Sequence, residues 1–170
     1  MKTKNLTMNA VLAAVLAVLG MVKFPGILPG TEFQLSAPFA VSIAAYFGFI
    51  RYIKIGIVAS MVNLLLGTHS VLNVVTAMVF RLVVGMVFAV FKVNKATLAV
   101  SGPMGTFCAR LVLSAILQVN PWALIAGAIP GMVLTVIAVC IMYPIMKKVC
   151  STMGVPSKTE KGRGTEHGTI

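Results

Sequence analysis

Acidic side chains are nearly absent from this sequence. Only three of its 170 residues are Asp or Glu, against 14 Lys or Arg, and charged residues make up 10% of the chain. A soluble domain carries roughly 25% charged residues, whereas the mean hydropathy here is +1.01. The composition therefore excludes an ordinary soluble domain and indicates an integral membrane protein with almost no extramembrane domain.

The same scarcity limits the chemistry that the chain can perform. Two of the three carboxylates, Glu160 and Glu166, fall in a polar C-terminal tail, so that the membrane body has only Glu32. No G-x-x-x-x-G-K-[ST] phosphate-binding loop is present. The three cysteines have no metal-site spacing and are interpreted as small apolar residues. We therefore expect no enzymatic activity, no cofactor, no metal and no autonomous energised transport.

Long apolar runs predict an all-α fold of six transmembrane helices in a single domain, residues 1–150. A tail of Gly, Ser, Thr and Lys at 151–170 is expected to be disordered. The third helix is short, about 20 Å at 1.5 Å per residue, and must borrow from Tyr52–Lys54 or be buried by its neighbours. Pro103 and Pro130 are expected to kink the last two helices. The predicted spans are 5–23, 35–50, 55–67, 71–91, 96–117 and 123–146.

The basic residues predict the orientation of these helices. They punctuate the apolar runs instead of clustering, which argues against nucleic-acid binding and is typical of membrane topology. If both termini are cytoplasmic, the outer helix ends carry only Lys23. The inner ends then carry Lys2, Lys4, Arg51, Lys54, Lys92, Lys95, Lys147 and Lys148. This asymmetry predicts a multi-pass protein of a bacterial cell membrane with both termini inside.

Two arginines lie within apolar helices, Arg81 in the fourth and Arg110 in the fifth. A guanidinium stays protonated in proteins, and at the centre of a spanning helix it costs roughly 2.5–3.5 kcal/mol. One interpretation is a pocket that receives an anion, with Glu32 as the nearest carboxylate. The other is that both arginines bond backbone carbonyls or extend to lipid headgroups.

Small and polar residues recur every four positions on the last three helices, and so share one face of each. From this we predict that helices four to six surround a polar cavity that opens outward and is capped by the loop at 24–34. His69 could alternatively be a plain turn residue, and Asn73 could hold helices together. The candidate binding residues are Arg110, Arg81, Glu32, His69, Asn73, Thr106, Gln118 and Asn120.

The first helix carries four alanines at spacings of three and four, Ala10, Ala13, Ala14 and Ala17. Such small-residue surfaces allow another helix to approach closely, either within this chain or in a partner. This alanine face, the Pro-Gly loop FPGILPGTEFQ and the outer polar groups together resemble the substrate-binding S component of energy-coupling factor (ECF) transporters.

The resemblance implies a partner set and a mechanism. In that family the alanine face contacts a transmembrane coupling subunit, which works with two cytoplasmic ATPases, and the first loop gates the pocket. Substrates are vitamins or their precursors. The chain would then capture a small anionic or zwitterionic molecule outside and topple in the lipid bilayer to release it inside.

Two other functions are compatible with the sequence. One is a membrane scaffold or assembly subunit that binds no ligand. The other is a subunit of an enzyme that handles a prenyl diphosphate, in which arginines would hold the diphosphate. That chemistry usually needs Mg²⁺ held by carboxylates, which the membrane body largely lacks.

Overall fold

The structure is a computed structural model that describes residues 2–24, 33–155 and 157. Within these residues the chain forms six helices and one short hairpin. The helices are α1 Lys2–Met21, α2 Ser36–Phe47, α3 Phe49–Leu65, α4 Val71–Val90, α5 Lys95–Leu117 and α6 Pro121–Thr152. Strands β1 Lys23–Phe24 and β2 Phe33–Gln34 pair antiparallel. The predicted helical fold is confirmed, and the hairpin was not predicted.

Three of the described helices, α4, α5 and α6, are long and apolar enough to cross a membrane. Their described lengths are 20, 23 and 32 residues. The apolar part of α1 spans Asn5–Met21, and α2 has only 12 residues. The structure therefore describes a helical membrane protein, and a total of six spans stays a prediction.

The connection between α2 and α3 differs from the prediction. We expected the second helix to end at Arg51–Lys54, but the chain reverses at Gly48, with φ 80° and ψ 176°. The amide of Gly48 donates to the carbonyl of Ala44, and the carbonyl of Gly48 accepts from Tyr52. Because one glycine completes the turn, Arg51 and Lys54 belong to the first turns of α3. This gives α3 17 residues instead of the predicted 13 or so.

The last helix continues past its predicted end at residue 146 to Thr152. It contains Pro130 and Pro144, and α5 contains Pro103, without interruption of either helix. Neighbouring helices commonly compensate for the hydrogen bond that a proline removes. Beyond α6, the carbonyl of Val155 accepts a 2.7 Å hydrogen bond from the Tyr46 hydroxyl. This bond attaches the end of α6 to α2.

The short helix α2 lies at the centre of the bundle and contacts each of the other five helices. Val41, Ile43 and Ala44 are completely buried. A helix that is apolar on all sides belongs in a core, which explains why α2 is so hydrophobic and yet too short to span alone. The other helices pack around it, with α5 between α4 and α6.

Gly48 provides a test of the α2–α3 reversal. Its backbone lies in a region that is essentially restricted to glycine, and strain of this kind costs about 1–3 kcal/mol. We expect Gly48→Asn to lower the free energy of unfolding by that amount, measured by thermal unfolding of the detergent-purified protein. Gly67 is the control, because asparagine tolerates left-handed backbone well and a Cβ there meets nothing within 4 Å at φ 67°. Equal losses for both variants would contradict this account.

Candidate functional site: a cavity lined by two arginines

A cavity of about 350 Å³ lies inside the bundle between α1, α2, α4, α5 and α6. It occupies the end of the bundle at which α2 and α4 begin and α5 terminates. Its polar lining consists of Gln34, Ser36, Ser70, Asn73, Thr76, Arg81, Thr106, Arg110 and Thr135. The apolar lining includes Leu16, Ala37, Ala40, Ala77, Phe80, Ala109, Leu113 and Ala128. Most of the wall is thus apolar, with polar groups from several helices.

Helical periodicity places the α4 residues on the cavity wall. Asn73, Ala77 and Arg81 are four residues apart, as are Thr76 and Phe80, so these five side chains share one face. The helix begins at Ser70, whose hydroxyl accepts a 3.3 Å hydrogen bond from the Asn73 amide. This cap positions the start of α4 at the edge of the cavity.

The α5 wall follows the same rule. Thr106, Ala109, Arg110 and Leu113 line the cavity from one face of the helix. The Thr106 hydroxyl donates to the carbonyl of Gly102 at 3.1 Å, so its oxygen lone pairs stay available as acceptors. Arg110 is partly buried and faces the same space as Arg81. The prediction that the polar stripes of α4 and α5 meet at one space agrees with this arrangement.

Arg81 is the most deeply placed charge of the site. Its side chain is 8% exposed, and its Nη1 donates to the Ser60 hydroxyl and contacts the Met78 sulfur at 3.9 Å. Within the described part of the chain, these two side chains are its hydrogen-bond partners, and the guanidinium is buried rather than exposed. Among the described residues, the oxygen acceptor of this cation is thus the neutral hydroxyl of Ser60.

Three predicted binding residues are not among those that line the cavity, and the structure gives each of them a local contact or conformation; their role in binding stays a prediction. His69 is 8% exposed, and its Nε2 lies 3.1 Å from the Gly20 carbonyl at the end of α1. Gln118 terminates α5 in a left-handed conformation at φ 54°. The Asn120 side chain caps α6 by accepting from the Trp122 amide at 3.0 Å. The fourth residue, Glu32, lies outside the described residues.

The structure adds lining residues that the sequence interpretation did not select. Thr76 is three residues from Asn73, and helical spacing could have identified it. Gln34 precedes α2, and Ser36 is the first residue of that helix. The Ser36 hydroxyl donates to the Gln34 side-chain oxygen at 3.2 Å. No periodic pattern links them to α4 and α5, because the tertiary fold alone brings α2 beside those helices.

The structure buries two of the four alanines of α1 and exposes the other two. Ala13 and Ala17 are 3% and 2% exposed and pack inside the bundle with Leu12 and Leu16. Ala10 and Ala14 are exposed on the outer side. Ala13 and Ala17 thus contact this chain's own core, Ala10 and Ala14 are accessible to a partner, and binding of a partner by the four alanines stays a prediction.

Fold and site together define a class, a helical membrane protein with an internal cavity lined by arginine. No family model matches the sequence, and no solved structure does either. A curated relative named Protein BioX, from Lysinibacillus sphaericus, is 48% identical over 145 residues. That alignment covers 85% of this chain and 86% of the relative. The chain belongs to the family of Protein BioX.

Replacement of Arg81 tests whether its positive charge contributes to the stability of the folded protein. A buried charge carries a desolvation cost that an apolar side chain of similar size avoids, and apolar replacement of whole buried ion pairs is often neutral or stabilising by about 1–4 kcal/mol. We therefore expect Arg81→Met to keep or raise the thermal unfolding temperature of the purified protein.

Arg51→Met is the matched control for this substitution. The Arg51 guanidinium donates to the Asn9 side chain and lies 4.3 Å from the centre of the Phe47 ring. Its loss should destabilise the protein by about 1–3 kcal/mol. An Arg81→Met variant as unstable as Arg51→Met would contradict the expectation.

Proposed function

We propose that this chain is the substrate-capture subunit of an ECF-type ABC importer. It binds a small anionic or zwitterionic vitamin, or a precursor of one, from the outer face of the membrane. The observation that carries the proposal is the cavity that contains Arg81 and Arg110. The protein performs no chemistry on its substrate, and energy for uptake comes from other subunits.

The cavity has the size and lining of a small-molecule site. Ligand pockets generally measure roughly 300–1,000 Å³ and combine apolar walls with a few placed polar groups. Here about 350 Å³ is enclosed by alanines, leucines and Phe80 together with the two guanidiniums. Arginine offers a planar fork of donors that matches a carboxylate or phosphate. A scaffold subunit without ligand would need no such space, and this favours ligand capture.

The position of the cavity supports entry from outside. In the proposed topology all six helices cross the membrane and both termini are cytoplasmic. Lys54, Lys92, Lys95, Lys147 and Lys148 lie towards one end of the bundle, which the positive-inside rule assigns to the cytoplasm. The cavity lies at the opposite end, between the start of α4 and the end of α5.

The β1–β2 hairpin flanks segment 25–32, which we propose as the gate of the cavity. Lys23 pairs with Gln34 and Phe24 with Phe33, so the two ends of segment 25–32 are held together. Gln34 also lines the cavity. The two strands that flank this segment therefore lie next to each other at the edge of the binding space. A ligand contact from this segment, including one from Glu32, is part of the proposal.

Energy would come from a transmembrane coupling subunit and two cytoplasmic ATPases. The chain has no phosphate-binding loop of its own, so ATP must act through a partner. On the side of α1 that faces away from the bundle, the small residues Ala10 and Ala14 would allow another helix to approach closely. The cytoplasmic end of α1 is itself held to α3 by the bond between Asn9 and Arg51, which would transmit movement of α1 to the bundle.

Ligand binding by the purified protein is the direct test. Small molecules retained through purification are identified by mass spectrometry, and their affinity is measured by calorimetry. Arg110→Ala should weaken binding about tenfold or more, because hydrogen bonds to charged groups contribute about 1.5–3 kcal/mol. Arg51→Ala removes the same charge from the first turn of α3, outside the cavity lining, and should leave the affinity unchanged. Unchanged affinity in Arg110→Ala would contradict the arginine–anion contact.

Assembly with the coupling subunit is tested separately. Ala14→Leu places a branched side chain on the outward side of α1 and should reduce co-purification with the coupling subunit and ATPases several-fold. Ala126→Leu makes the same change at an exposed position of α6 and is the control. Ligand affinity should stay constant in both variants. Equal recovery of the complex with Ala14→Leu and with the unaltered protein would disprove this contact.

A further inference from the structure

We infer that Ser60 and Gly56 of α3 are positioning residues, which direct the Arg81 guanidinium toward an anionic group bound in the cavity. The inference rests on the proposed function, because it assumes that the cavity receives an anion. It goes beyond that function by assigning roles to a helix outside the cavity wall. Of the described residues that line the cavity, none belongs to α3.

The first observation is the direction from which Arg81 is held. Arg81 extends from α4, lines the cavity, and donates from Nη1 to Ser60 on the neighbouring helix. A guanidinium is planar and carries five N–H donors in a rigid fork. One bond at Nη1, together with packing of the stem, is enough to orient that plane. The other donors are then presented in a fixed direction.

The second observation is the space that Gly56 leaves for the arginine stem. A Cβ at position 56 would lie 2.5 Å from both Cδ and Nε of Arg81, and 3.1 Å from Cζ. Such distances are far below ordinary contact, so any side chain at position 56 would displace the guanidinium. Tyr52, Gly56 and Ser60 follow at steps of four residues and form one face of α3. The Arg81 side chain of α4 lies against this face.

Tyr52 is the member of this face that lies nearest the start of α3. It is completely buried and close enough to Arg81 for an electrostatic interaction. Its hydroxyl has no hydrogen-bond partner within the part of the chain that the structure describes. The buried phenol therefore adds a polar group to the same face of α3 that carries Gly56 and Ser60.

The chemistry of the Ser60 contact explains why a serine serves here. A carboxylate would orient the guanidinium equally well, but it would also neutralise the charge. A hydroxyl accepts one hydrogen bond and leaves the full positive charge for a ligand. None of the carboxylates of the sequence lies in the described segments 2–24 and 33–155. Within the described residues, the Ser60 contact thus fixes the direction of the guanidinium without an opposite charge.

The experiment compares a charged probe with a neutral probe of the same shape, benzoate and benzamide. Dissociation constants are measured on the full-length protein in nanodiscs. The unaltered protein should prefer benzoate. Ser60→Ala and Gly56→Ala should each reduce that preference about tenfold and leave benzamide affinity unchanged. A merely stabilising role would change both probes together, so the ratio isolates the direction of the charge.

Two control substitutions match these changes elsewhere in the bundle. Ser42 is fully buried and bonds the Pro38 carbonyl of its own helix at 2.9 Å, so Ser42→Ala should leave the preference intact. Gly85→Ala introduces an equally crowded Cβ, but against Phe49. If either α3 alanine variant fails to fold, Ser60→Thr and Ser60→Val decide, since they differ mainly in the hydroxyl. The threonine variant should keep the preference and the valine variant should lose it.

The possible outcomes separate the two proposals. If Arg81→Ala abolishes the preference while the Ser60 and Gly56 variants keep it, the positioning roles are overturned and the proposed function stands. A loss of affinity for both probes in the α3 variants overturns the positioning roles as well. If the unaltered protein shows no preference for benzoate, both proposals are overturned.

Discussion

A positive charge buried in an apolar helix bundle is the constraint on which the rest of this structure depends. Arg81 is 8% exposed and bonds a neutral hydroxyl. Burial of an ion requires compensation, by hydrogen bonds, by water or by an opposite charge. The bundle supplies a face of α3 on one side and a cavity on the other. Gly56 and Ser60 of α3 accommodate the Arg81 side chain on one side. The polar stripe of α4 and the cavity lie on the other side.

The central helix determines where that cavity can form. Because α2 has 12 residues and contacts all the other helices, it fills the middle of the bundle over only about 18 Å of its height. Its first turns carry the small residues Ser36, Ala37 and Ala40, which leave room between α1, α4, α5 and α6. Its last turns are fully packed. The arginine-lined cavity therefore lies at the end of the bundle where α2 begins.

The two ends also differ in how they are held. At the end where α2 finishes, Arg51 joins Asn9 and the Phe47 ring, and Tyr46 bonds Val155. These contacts connect α1, α2, α3 and the end of α6. At the cavity end, His69 holds the end of α1 through Gly20, and the β1–β2 hairpin holds the loop ends. The contacts at the two ends of the bundle therefore involve different sets of helices.

The sequence by itself determined the class of the molecule and much of the cavity wall. Apolar runs locate helices because a membrane span needs length and hydropathy, and four-residue steps place Asn73, Arg81, Thr106 and Arg110 on inward faces because a helix repeats every 3.6 residues. The tertiary structure alone decided that Arg81 bonds Ser60, that α2 lines the cavity, and that His69 contacts Gly20. These contacts join residues from separate helices, and no local period encodes the rotation and depth at which one helix packs against another.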